Sequence, residues 1–198
     1  KQTVIETLAL SNNLITDLSP LTEMPCLSKL YVKGNPISDI SPLGAIPTLK
    51  FLDIGSTQVL DLSPIGECNL QTLWMNDTPI ADYSPLLSMP QLETLWVSRL
   101  DAKALSICSQ LTQLGSLAIY KTPILASLAP LKNLSKLTFL DLVDDSIQSI
   151  DGVERFPSLY FLCLMGNPIT DLTPLTKPPI VRSINITYLN IEDYSFLT

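Results

Sequence analysis

The sequence has no histidine, and only seven of its 198 residues are glycine. The first absence removes the commonest general base, the commonest metal ligand and the usual pH switch together. No glycine-rich phosphate loop is present. No apolar run approaches the ~18 residues that a membrane helix needs, so membrane insertion is not expected. Charge is sparse at 16%, and its balance is acidic, with a formal net charge of -7. Such a surface repels phosphate backbones and anionic bilayers, which argues against nucleic acid and membrane surfaces as partners.

Cysteine is scarce too, with four residues and no Cys-x-x-Cys pair to suggest zinc. Cys26, Cys68, Cys108 and Cys163 fall in unlike settings, and the spacing derived below puts Cys26 and Cys68 roughly 10 Å apart, beyond disulfide reach. Free thiols fit a reducing compartment. With no nucleophile–base pair the chain reads as a non-enzyme without a cofactor or metal. Asp141, Asp144 and Asp145 form the one tight carboxylate cluster, expected to be a solvated acidic edge rather than a calcium site.

What the chain does have is proline, 16 residues of it, and self-similarity at a fixed period. The stretches beginning at Ile5, Leu27, Leu49, Leu70, Leu92, Leu114, Leu137, Leu159 and Val181 align as nine units of about 22 residues. With the first residue of each as position 1, apolar residues recur at positions 1, 4, 6, 11, 14, 17 and 20. In the second unit these are Leu27, Leu30, Val32, Ile37, Ile40, Leu43 and Ile46. Fifteen of the prolines fall into three phases: after position 9, in Ser/Thr/Ala-Pro-Leu/Ile, and at the unit's end, as with Pro179. Only Pro178 is out of phase.

Positions 3 to 7 alternate inward and outward, which predicts a short strand free of proline. Ser before Pro predicts a tight helical start, with Ser as the cap and Pro in the first turn, where its missing N–H costs nothing. Six units carry that signal. One unit can bury its apolar face only against its neighbours, so the units are expected to stack as a curved solenoid forming one domain over residues 1–198.

The pattern L-x-x-L-x-L-x-x-N-x-I-x-D-L-S-P-L, clearest in residues 8–21 (LALSNNLITDLSPL), 30–43 (LYVKGNPISDISPL) and 162–175 (LCLMGNPITDLTPL), resembles the 22-residue leucine-rich repeats of bacterial internalins. The resemblance covers essentially the whole chain. It implies an α/β repeat fold: a leucine-rich-repeat solenoid with a curved parallel β-sheet on the concave face and short 3₁₀ or α turns on the convex face. It implies a macromolecular ligand and a position at the cell surface or outside it, whereas the unpaired cysteines favour a cytosol, the cell's own or a host's. It also implies that position-9 Asn bonds neighbouring backbones; here that position is Asn13, Asn35 and Asn167, but Thr57, Thr78, Leu100, Thr122, Asp145 and Leu189 elsewhere. Internalins carry a helical cap and an immunoglobulin-like extension that this sequence lacks, so it is expected to be a piece of a longer protein. Residues 92–113 lack the proline and read as more helical.

Positions 3, 5, 7 and 8 are expected to face the concave side, free of core duty. They include Tyr31, Phe51, Asp53, Trp74, Trp96, Tyr120, Phe139, Asp141 and Phe161, with Arg99 and Lys121 beside them. Trp and Tyr give large contact area at low entropic cost and dominate interface hot spots. These residues therefore form the expected partner-binding set for a protein ligand, host-directed on the internalin resemblance. Two alternatives stand beside it: cross-strand packing in a structural spacer or regulatory repeat region, and a glycan stacked on the Trp74–Trp96 pair.

Overall fold

The computed structural model describes residues 4–177, 181–192, 194 and 195. The first three residues, Pro178 and Pro179 lie outside that set. The chain divides into two compact units, Lys1–Trp96 and Val97–Thr198.

In the first unit the strands β1 (Thr7–Ala9), β2 (Lys29–Tyr31), β3 (Phe51–Asp53), β4 (Thr72–Trp74) and β5 (Thr94–Ser98), whose last two residues belong to the second unit, pair in parallel in chain order. In the second, β6 (Ser116–Tyr120), β7 (Phe139–Val143), β8 (Phe161–Cys163) and β9 (Ser183–Asn185) do the same. Register follows the repeat: Leu8, Leu30 and Leu52 are partners, as are Leu117, Leu140 and Leu162. The period set by position 4 thus fixes which side chains stand next to each other.

The core is the apolar set of the repeat. Leu27, Leu30, Val32, Ile37, Ile40, Leu43 and Ile46 are all at or below 2% exposure. Each such side chain contributes about 1.5–3 kcal/mol on burial, and positions 1, 4 and 6 are buried in every interior unit.

All six Ser/Thr/Ala-Pro signals open 3₁₀ turns: Ser19–Glu23, Ser41–Ala45, Ser63–Ile65 and Ser84–Ser88 in the first unit, Ala129–Leu131 and Thr173–Thr176 in the second. Val153–Arg155 forms another without proline. The expected cap is corrected, however. The serine is already the first turn residue, and an aspartate two residues earlier does the capping. Asp17, Asp39, Asp61, Asp82 and Asp171 accept the backbone N–H of Ser19, Ser41, Ser63, Ser84 and Thr173 at 2.8–3.2 Å. The Ser19 backbone N–H and hydroxyl hold the Asp17 carboxyl below the usual range; the hydroxyl and backbone N–H of Ser41, Ser63 and Thr173 do so for Asp39, Asp61 and Asp171. Residues 92–113 are more helical, as expected. Helix α1 (Ala102–Cys108) is capped by Asp101, whose Oδ1 accepts from the Ala104 N–H at 2.7 Å.

Position 9 knits the repeats together. Asn35 Nδ2 donates to the Leu10 and Val32 carbonyls at 2.9 and 2.8 Å. Asn167 Nδ2 donates to Leu142 and Leu164, both at 2.9 Å, and its Oδ1 accepts from the Asp145 and Ile147 N–H groups at 3.1 and 2.9 Å. Threonine replaces part of this bonding: Thr78 Oγ1 donates to Ile54 O at 2.8 Å, and Thr122 Oγ1 accepts from Leu100 N–H at 3.1 Å. Asp145 in the same row is completely buried, which corrects the expectation of a solvated acidic edge.

Candidate recognition face

In the first unit Tyr31, Phe51, Trp74 and Trp96 stand on adjacent strands, all half-buried. They touch in sequence. Tyr31 and Phe51 lie 4.5 Å apart between ring centroids, Phe51 and Trp74 4.8 Å apart edge-to-face, and Trp74 and Trp96 4.1 Å apart and stacked, with planes 10° from parallel. Trp74 and Trp96 are also Cα partners across β4 and β5, so the register itself produces the stack. Both indole Nε1 atoms are buried without an acceptor, and so is Asn76 Oδ1 without a donor.

Asp53, expected among the exposed partner-binding residues, is buried at 6% exposure. It accepts the Gly55 N–H at 3.0 Å. Burial raises its pKa, while the Gly55 bond and the Lys33 charge oppose the rise. Lys29 and Lys33 share this face and are exposed. Sequence alone gave no reason to separate them from other surface charges.

In the second unit Phe139 and Phe161 stack at 4.5 Å with planes 10° from parallel. Tyr120 is not part of that stack. Its hydroxyl donates to Asp141 Oδ2 at 2.8 Å, and burial followed by that bond raises its pKa strongly. Asp141 Oδ1 is buried without a donor. Cys163, expected to face outward at position 5, is buried at 3% exposure, and burial pushes its thiol up to about 12. Its burial and raised pKa are those of a packing residue.

Position 8 does not continue the strand face as expected. Every repeat turns there through a left-handed residue: Asn12, Gly34, Ser56 and Asp77 in the first unit, and Arg99, Lys121, Asp144, Gly166 and Tyr188 in the second, with φ between 54° and 72°. At Gly34 the need is double, since a Cβ would also collide with the Asn12 side chain. Arg99 and Lys121 are exposed at these turns. Among the described residues no group of three His, Cys, Asp or Glu side chains could hold a metal ion.

Parallel strands in repeat register, 3₁₀ turns, a leucine core and a position-9 bonding row define a leucine-rich-repeat fold. The leucine-rich-repeat family model of two copies matches residues 3–45. The sequence matches no curated protein. Among solved structures the chain is similar to an internalin, inlF, of Listeria monocytogenes at 25% identity and TM-score 0.68, covering 98% of this chain and 64% of that one. It is similar to internalin C2 of the same organism at 27% identity and TM-score 0.71, covering 92% and 81%. The fold also matches TLR13 in its complex with ssRNA13, at 17% identity and TM-score 0.57, over 94% of this chain and 32% of that one. Leucine-rich repeats serve generally as protein-binding modules. The chain spans less than two thirds of the first of these relatives.

Proposed function

We propose that this chain is a protein-recognition module and that its strand face is the binding surface, with Tyr31, Phe51, Trp74 and Trp96 as the anchor of the first unit. The observation that carries this reading is the continuous row of four half-buried rings outside the leucine core. Aromatic side chains partly covered by one another, and rimmed by polar residues, are what protein hot spots are made of. Tyr120, Phe139, Asp141 and Phe161, with Arg99 and Lys121 at the turns, form the corresponding set of the second unit.

Two other readings are weaker. A glycan would need an open indole face, and the faces that Trp74 and Trp96 turn toward each other are closed by their stacking. A nucleic-acid partner, as in the TLR13 complex, is opposed by the net charge of -7.

The test is capture by the immobilised chain from lysates of its own cell and of a host, beside a Trp74→Ala/Trp96→Ala variant with unchanged circular dichroism. A protein retained by the parent and lost by the variant supports the face. A protein retained equally by both moves the site elsewhere on the chain. No protein at all returns the spacer reading, in which the rings only stiffen the sheet.

A further inference from the structure

Residues 4–96 contain ten acidic side chains and three basic ones. Six of the acids, Asp17, Glu23, Asp39, Asp61, Glu67 and Asp82, lie in the turn half of the repeats, at or after the capping position; Glu6, Asp77 and Glu93 are exposed beside β1, β4 and β5. The three cations, Lys29, Lys33 and Lys50, all lie at or directly beside the strands β2 and β3, and all are exposed. Lys29 and Lys33 bracket Tyr31 at positions 3 and 7 of one repeat, at the end of the aromatic row opposite Trp96. The carboxylate among these strands, Asp53, is buried.

The Lys33 stem lies over Gly55 of the next repeat: a Cβ built there would stand at ordinary contact distance, 3.6 Å, from Lys33 Cδ. The stem covers buried backbone while its ammonium stays in water, the usual compromise of a long cationic side chain.

We propose, resting on the reading of this face as a protein-binding surface, that its partner presents a segment with acidic side chains next to aromatic or aliphatic ones. The acidic group meets Lys29 and Lys33; the apolar group packs on the Tyr31–Phe51–Trp74 rings. A chain this acidic repels an acidic partner from its turn side and attracts it at the lysines, so the charge pattern sets the orientation of approach as well as the contact.

The experiment pans a random peptide library on the purified chain and re-measures each enriched peptide against two variants, Trp74→Ala/Trp96→Ala and Lys29→Ser/Lys33→Ser. Melting curves confirm that both variants remain folded. The expected peptides carry Asp or Glu within a few residues of an aromatic or aliphatic side chain. They bind the lysine variant roughly tenfold more weakly at low salt, and the difference shrinks as salt rises. Peptides that need the tryptophans but are neutral or basic, or are indifferent to the lysine change, overturn this inference and leave the face itself standing. If no enriched peptide depends on the tryptophans, both fall.

Discussion

Asp145 accepts the backbone N–H of Thr122 at 2.7 Å through Oδ1, the bond that Asn167 Oδ1 makes to the N–H of Asp145 one repeat later. The match places Asp145 Oδ2 where asparagine carries its amide nitrogen, a donor. Oδ2 is buried and makes no hydrogen bond. A neutral carboxylic acid, donating through Oδ2, fits the position better than a carboxylate does. Burial accordingly pushes the Asp145 pKa up to about 8; the Thr122 N–H opposes the rise, and the charges of Asp141 and Asp144 add to it.

The consequence is a stability that falls with rising pH. The unfolded chain releases this proton near pH 4 and the folded chain near pH 8. Between the two the folded state holds a proton that the unfolded state has lost. The stabilisation is full below about pH 4 and is lost progressively as pH rises through 8. Each pKa unit carries about 1.4 kcal/mol, so the effect amounts to several kcal/mol. Asp145→Asn should be more stable than the parent at pH 8.5 and should lose less stability than the parent from pH 5 to 8.5, as read by urea midpoints. Tyr120 and Cys163, the other titratable groups beside Asp141, have pKa values raised from their ordinary ones and stay protonated over that range. Parallel pH curves for parent and variant would show that Asp145 is ionised in the folded protein.

A second prediction separates binding from folding at Lys121. This residue holds φ of 54° in a repeat position that Gly34 and Gly166 fill without strain. A side chain there costs about 1–2 kcal/mol. Glycine removes that cost and adds unfolded-chain entropy worth roughly 0.5–1 kcal/mol. Lys121→Gly should therefore leave the urea midpoint unchanged or slightly raised. If it nevertheless weakens partner capture, the lysine is there for the ligand. A clear drop in the midpoint would instead assign its side chain a packing role.

The repeat length made most of the architecture legible. Position 4 supplied the strand register, the Ser-Pro-Leu phase located the 3₁₀ turns, and the proline-free residues 92–113 gave α1. The aromatic row was legible for the same reason, because position 5 of two adjacent units had to bring Trp74 beside Trp96. Burial within the row was not. Asp53 and Cys163 share position 5 with the tryptophans yet are covered, since a short side chain lies below the reach of its neighbours and a period does not encode reach. Asp145 was misread because three carboxylates in five residues look solvated, whereas position 9 is buried in every repeat that follows another. The capping aspartates were present in D-x-S-P, but the serine drew the assignment by its usual preference for the cap.

The position-9 row yields a graded prediction. Asn167 is 2% exposed and satisfies two carbonyls and two N–H groups. Asn167→Ala orphans all four in a site with little access to water. Each orphaned group costs about 1–3 kcal/mol, partly relieved by relaxation, so a loss of roughly 3 kcal/mol or more is expected. Asn167→Thr should lose less, because Thr78 in the equivalent place still reaches the preceding repeat through its hydroxyl. Asn13 occupies the same repeat position but is exposed, and its amide donates only to its own repeat, at Leu10 and Ser11. Asn13→Ala should cost no more than about 0.5 kcal/mol. Urea midpoints for the three variants check the order. If Asn13→Ala costs as much as Asn167→Ala, the stabilisation comes from the local turn and not from the bonds between repeats.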